Sequence, residues 1–105
     1  MIDPATIEKA VKLVAAAAPG STVILFGSYA RGDARESSDL DLLVLEPEIE
    51  SRRDEEVRLR DALRPLRIPV DVVVASKKTY QKWADTPGTL FYQAAREGRV
   101  IGGTP

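Results

Sequence analysis

Hydrophobic and polar positions along the chain follow two different periods. From Ile7 to Ala18 apolar residues recur at helical spacing (Ile7, Ala10, Val11, Val14, Ala17, Ala18), behind Asp3-Pro4, a capping residue and a proline suited to a first helical position. Pro19-Gly20 closes that helix. Ser21 to Phe26 (STVILF) is short, β-branched and apolar, which predicts a buried strand, and residues 28–32 are compatible with a helical turn before the polar loop GDARESS. A second strand is predicted from Asp39 to Leu45, ended by Glu46-Pro47. Ser51 with Asp54 resembles a capping box opening a helix over about 52–64, with Leu59, Leu63 and Leu66 as its apolar stripe and Arg64-Pro65 as its end. Its charged opening, RRDEE, is expected to face water. Val70 to Ala75 (VDVVVA) predicts a third strand, Ser76 to Ala84 and about 88–97 two further helices, Gly98 a C-cap, and Arg99-Val100-Ile101 a short last strand. The order is α-β-(short α)-β-α-β-α-α-β, an α/β (α+β) chain expected to form a single domain over residues 1–105.

The strand period exposes an anomaly. Asp39 and Asp41 fall on one face of the second strand, followed by Leu43 and Leu45, while Leu40, Leu42 and Val44 fill the other. The third strand repeats the design: Asp71 shares its face with Val73 and Ala75, and Val70, Val72 and Val74 take the opposite one. If these strands are sheet neighbours, three carboxylates converge, and they repel one another unless a cation sits among them or one takes up a proton. Mg²⁺ prefers oxygen ligands and uses one or two carboxylates plus substrate phosphates. A pair of such ions stabilises both the entering and leaving oxygens of a nucleotidyl transfer. Asp39 and Asp41 suit metal ligation, and Asp71 suits holding a metal and accepting a proton from an attacking hydroxyl.

Gly27-Ser28, at the end of the first strand, supplies the complementary half. A residue without a side chain lets a phosphate approach the backbone, and the next helical turn aims amides at it. Arg31 adds a guanidinium for a bidentate phosphate contact. Taken singly these features are ordinary: Gly-Ser is commonly a plain turn, Asp-x-Asp a solvated strand end, Arg31 and Arg35 surface charges. Tyr29 is equally suited to packing and to contact with nucleotide or acceptor, and Trp83, Phe91 and Tyr92 fit core or partner surface better than base stacking. Together, each at its strand end, the acids, the Gly-Ser turn and Arg31 describe a site for a nucleoside triphosphate with Mg²⁺.

Composition narrows the chemistry. The chain has no Cys and no His, so thiolate metal sites, cysteine nucleophiles and the Ser-His-Asp triad are excluded. Its net charge of −1 provides no positive field for long nucleic acid. No apolar run approaches the ~20 residues that span a bilayer, which predicts a cytoplasmic protein.

As a unit, Gly27-Ser28-Tyr29-Ala30-Arg31-Gly32, then Ser38-Asp39-Leu40-Asp41-Leu42, then Asp71 resembles the signature of the DNA polymerase β-type nucleotidyltransferase superfamily. The similarity is greatest to its minimal nucleotidyltransferase branch, the MntA-like partners of HEPN-domain proteins. It implies a nucleotidyltransferase fold, a small mixed β-sheet flanked by helices. It further implies Gly27 and Ser28 as triphosphate contacts, Asp39 and Asp41 as metal ligands, and Asp71 as the third acid. In that branch the resemblance implies an antitoxin that moves AMP from ATP to a tyrosine hydroxyl of a cognate HEPN ribonuclease encoded by an adjacent gene, with two Mg²⁺ ions. The competing expectations are a non-catalytic nucleotide-binding antitoxin subunit that masks its partner by contact, and a transferase with a small-molecule acceptor. A template-directed polymerase, needing length and a basic groove, fits least.

Overall fold

The computed structural model describes residues 1–103. Helix α1 (Pro4–Ala17) starts where the Asp3 carboxylate accepts the Thr6 amide at 2.7 Å, so the side chain replaces an acceptor the first turn lacks. Strand β1 (Thr22–Phe26) is buried along its whole length and leads into a single turn of helix, α2 (Ser28–Arg31). Strand β2 (Leu40–Glu46), helix α3 (Arg52–Leu63) and strand β3 (Val70–Ser76) follow, then α4 (Lys77–Trp83), α5 (Leu90–Glu97) and β4 (Arg99–Gly103). Ser51 caps α3 through the Asp54 amide as the capping pattern predicts, and Ser76 and Thr89 cap α4 and α5 in the same way. Arg64-Pro65 closes α3 with a 3₁₀ turn over Arg64–Leu66.

The sheet order is β3-β2-β1-β4, with β1 antiparallel to both β2 and β4, and β2 parallel to β3. This is the expected mixed sheet, and α3 makes the crossover that a parallel pair requires. The expected division of faces also holds. Leu40, Leu42, Val44, Val72 and Val74 join Val23 and Leu25 in one core with Ala10 and Val14 of α1 and Leu59 and Leu63 of α3. Ile24, Phe26, Leu43, Leu45 and Ala75 form the other with Ala94 of α5, packed by Val73, Tyr80, Leu90 and Phe91. Phe91 is thus core, its ring edge-on to Tyr80 with centroids 6.3 Å apart, whereas Trp83 stays exposed beneath Lys82.

Two local expectations are corrected. The second strand begins at Leu40, whose amide donates to the Pro69 carbonyl at 2.9 Å and opens the parallel ladder, so Asp39 lies just ahead of the strand. The RRDEE opening of α3 is not uniformly solvated: Glu56 accepts the Val74 amide at 2.9 Å, and Glu55 lies against Glu46. Gly98 is the C-cap of α5 as expected, its amide donating to the Ala94 carbonyl at 2.9 Å, with φ −77° in place of the left-handed value common at glycine caps. Glycine is needed there for space, since a Cβ would stand 2.2 Å from the Ala94 carbonyl oxygen and 2.7 Å from Ile24 Cγ2.

At the far end of β2 from Asp41, Glu46 is buried and one of its carboxyl oxygens, Oε2, has no hydrogen-bond partner. Burial, then the neighbouring Glu55, pushes its pKa up to about 7, while the Arg58 guanidinium holds Glu55 down at about 2. The folded chain therefore binds the Glu46 proton more tightly than the unfolded chain does, so stability falls as pH rises from the ordinary glutamate value toward 7. Glu55 works in the opposite sense, its contribution being lost as pH falls below that ordinary value. We expect Glu46→Gln to stabilise the protein by about 1–3 kcal/mol at pH 8 and by much less at pH 5. Urea unfolding midpoints at the two pH values measure this, and a pH-independent difference would contradict it.

Candidate active site

Parallel pairing brings the beginnings of β2 and β3 together, and antiparallel pairing brings the end of β1 to the same place. Asp41 lies opposite Asp71 in the β2/β3 register and opposite Phe26 in the β1/β2 register. Asp39 immediately precedes β2 and is exposed, as is Asp71, while Asp41 between them is partly buried. Gly27 follows Phe26, so the Gly-Ser turn adjoins Asp41.

That approach is close. A Cβ on Gly27 would stand 2.2 Å from Asp41 Oδ2, and Gly27 has φ 76° and ψ −156°, a backbone region open in practice only to glycine. Gly27 caps α2: its carbonyl accepts the amides of Ala30 and Arg31, both at 3.0 Å. The amides of Ser28 and Tyr29, at the start of this turn, have no acceptor within it. The structure therefore groups Gly27 and Ser28 with Asp41 and Asp71 at one end of the sheet.

Electrostatics mark the same spot. Burial raises the Asp41 pKa first, the charges of Asp71 and Asp39 raise it further, and Arg31 only partly compensates. An additional positive charge at this point would relieve that stress. The donor set is entirely oxygen, which fits a hard divalent ion. Among the described residues no group of three or more acidic side chains is arranged to hold a metal ion by itself.

Two partners escaped sequence reasoning. Arg60, on α3, reaches around the sheet edge to donate to Asp71 Oδ1 at 3.3 Å and to the Val72 carbonyl at 3.2 Å. Glu97, at the end of α5, accepts the Gly27 amide at 3.1 Å and Arg31 Nη1 at 3.0 Å. Arg31 also pairs with Asp33 at 3.2 Å, so the predicted phosphate ligand is already engaged by two carboxylates. Burial of Glu97 is outweighed by hydrogen bonds from Gln93, Arg31 and Gly27, which hold its pKa below the usual range. A faint signal for Glu97 was present: an acid in the last turn of a helix opposes the helix dipole and calls for another partner. Arg60 carried none, since nothing local relates it to Asp71. Tyr29 is a packing residue whose hydroxyl accepts the Ile2 amide at 2.9 Å.

An apolar groove of about 770 Å³ runs between α1 and β4, but none of the six predicted site residues lines it. The candidate chemistry lies apart from this groove, at the end of the sheet where β2 and β3 begin. Among the described residues no helix is long and apolar enough to cross a membrane.

A mixed sheet carrying a Gly-Ser turn at the end of one strand, beside acids at the start of two others, defines a nucleotidyltransferase. The chain belongs to the nucleotidyltransferase domain family, whose model matches residues 7–91, and within it to the minimal nucleotidyltransferases. A solved structure assigned as a minimal nucleotidyltransferase is 34% identical, covers 92% of this chain and 90% of its own, and superposes with a TM-score of 0.58. A toxin-antitoxin complex solved with AMP-PNP is 28% identical over 92% of this chain and 73% of the other, with a TM-score of 0.59. A complex of a tri-AMPylated Shewanella oneidensis HEPN toxin with its MNT antitoxin, 24% identical, shares the fold with a TM-score of 0.60, over 95% of this chain and 71% of the other. A curated protein inferred to be a protein adenylyltransferase in Methanocaldococcus jannaschii is 48% identical over 42 residues, 40% of this chain and 42% of the relative's length.

Gly27→Ala is expected to lose about 1–3 kcal/mol to backbone strain alone. It should lose more through displacement of Asp41. Gly32→Ala is the control, since Gly32 also has positive φ (85°) but nothing within 4 Å of a Cβ. Equal urea midpoints for the two variants would contradict the close approach to Asp41.

Proposed function

We propose that this protein transfers AMP from ATP to a tyrosine hydroxyl of a HEPN-domain ribonuclease encoded by an adjacent gene, and so acts as its antitoxin. The observation that carries the reading is the direct opposition of Asp41 and Asp71 on adjacent parallel strands, beside a turn that begins at Gly27, where no side chain would fit. The AMPylated and AMP-PNP-bound complexes of similar fold support the donor and the kind of partner.

In this reading Gly27 and Ser28 receive the triphosphate, with Arg31 as an auxiliary phosphate ligand. Asp39 and Asp41, with Asp71, hold Mg²⁺, in keeping with their oxygen-only donor set and mutual repulsion. When bound, two such ions offset charge on the entering and leaving oxygens. The tyrosine oxygen bonds to the α-phosphorus, the bond from that phosphorus to the oxygen bridging to the β-phosphate breaks, and pyrophosphate leaves. In this reading Asp71 takes the tyrosine proton, which its half-exposed side chain and the Arg60 contact to its carboxylate support, since an acceptor on another protein can reach it.

Incubation with Mg²⁺, ATP and the neighbouring HEPN protein should add the mass of AMP to that partner. Asp41→Asn should lower transfer by about two to three orders of magnitude. The same substitution should raise the thermal midpoint at neutral pH, because an acid whose folded pKa is raised opposes folding once ionised. A partner inhibited without any AMP adduct would favour masking by contact and overturn the proposal.

A further inference from the structure

Gly27 and Arg31, two donors suited to a nucleotide's phosphates, converge on a single oxygen that belongs to the protein. Glu97 Oε1 accepts the Gly27 amide at 3.1 Å, Arg31 Nη1 at 3.0 Å and Gln93 Nε2 at 2.8 Å. An amide at a strand-to-helix turn together with a guanidinium is the donor pair that a phosphate oxygen would take. We propose that Glu97 is an internal competitor for the triphosphate and sets nucleotide affinity: its carboxylate fills the position of a phosphate oxygen and is displaced when nucleotide binds. This rests on residues 27–31 being the triphosphate turn.

The fold delivers the carboxylate to this position. Gly98 has no side chain to collide with β1, so the end of α5 lies directly against Ile24 and the Leu25 carbonyl, and Glu97 reaches the first residue beyond that strand. Gln93, one turn earlier on α5, fixes the carboxylate from its own helix. The Glu97 side chain is 22% exposed, so it stands at the mouth of the site with a path outward. Its charge is felt by Asp41, which places the carboxylate within the field of the acidic centre. A clamp that merely held the turn in shape would need an acceptor and no charge. A carboxylate there opposes an incoming polyanion, and this difference separates the two roles.

Glu97→Gln keeps an acceptor oxygen and the side-chain shape but removes the charge. Calorimetric titration of the wild type, Glu97→Gln and Glu97→Ala would use two probes, AMP-PNP with Mg²⁺ and inorganic triphosphate with Mg²⁺. Both variants should bind each probe about tenfold more tightly than wild type, as expected for removal of a nearby like charge. Thermal midpoints would verify that each variant is folded. If wild type binds and Glu97→Gln binds equally or less well, Glu97 is a clamp; the competitor role then fails while the triphosphate turn stands. A gain confined to AMP-PNP also overturns the proposal, because it would lie outside the phosphates. Absence of binding in all three proteins overturns both the competitor and the triphosphate turn.

Discussion

The structure is organised around two carboxylates forced into register. Asp41 and Asp71 meet because β2 and β3 are parallel and start together, so the acids cannot separate without slipping an apolar ladder that fills both cores. A one-residue slip would turn Leu43, Leu45, Val73 and Ala75 to the wrong layer. The hydrophobic cores thus hold in place an electrostatic arrangement that is unfavourable by itself. The surroundings are shaped by that conflict: glycine stands where any side chain would strike Asp41, and Arg60 reaches Asp71 from a helix on the other face.

Much of this was legible in the sequence because it is periodic or local. Alternation along DLDLLVL and VDVVVA sorts every apolar residue to its observed layer. A helix of suitable length stands between the two strands, as their parallel pairing requires. Capping residues, Pro-Gly and Arg-Pro set most element boundaries. The start of the second strand was misplaced by one residue because alternation runs through Asp39, whereas the ladder begins only when Leu40 meets Pro69.

What stayed hidden depends on pairs far apart in the chain. Glu97 meets Gly27 across 70 positions, and Arg60 meets Asp71 from a different layer. The acids of RRDEE look alike in sequence, yet Asp54 is exposed, Glu55 lies against the buried Glu46, and Glu56 bonds the sheet. Helical phase separates the solvated residues from the docked ones, but it gives no indication that β3 would offer an unpaired amide to Glu56. Gly98 shows the same limit in another form: its position after a helix was readable, while the crowding that requires glycine there comes from β1.

Helix α3 also governs how this sheet meets other molecules. β3 is an edge strand, and its outward Val74 amide and Val72 carbonyl are taken by Glu56 and Arg60, four residues apart on the helix. These side chains stand where a further strand would otherwise add, the usual route by which open sheets polymerise. Arg60 serves both this barrier and the carboxylate of Asp71, so one guanidinium ties the guarded strand edge to the acidic end of the sheet. Loss of that one side chain would therefore uncover the strand edge and free the Asp71 carboxylate at the same time.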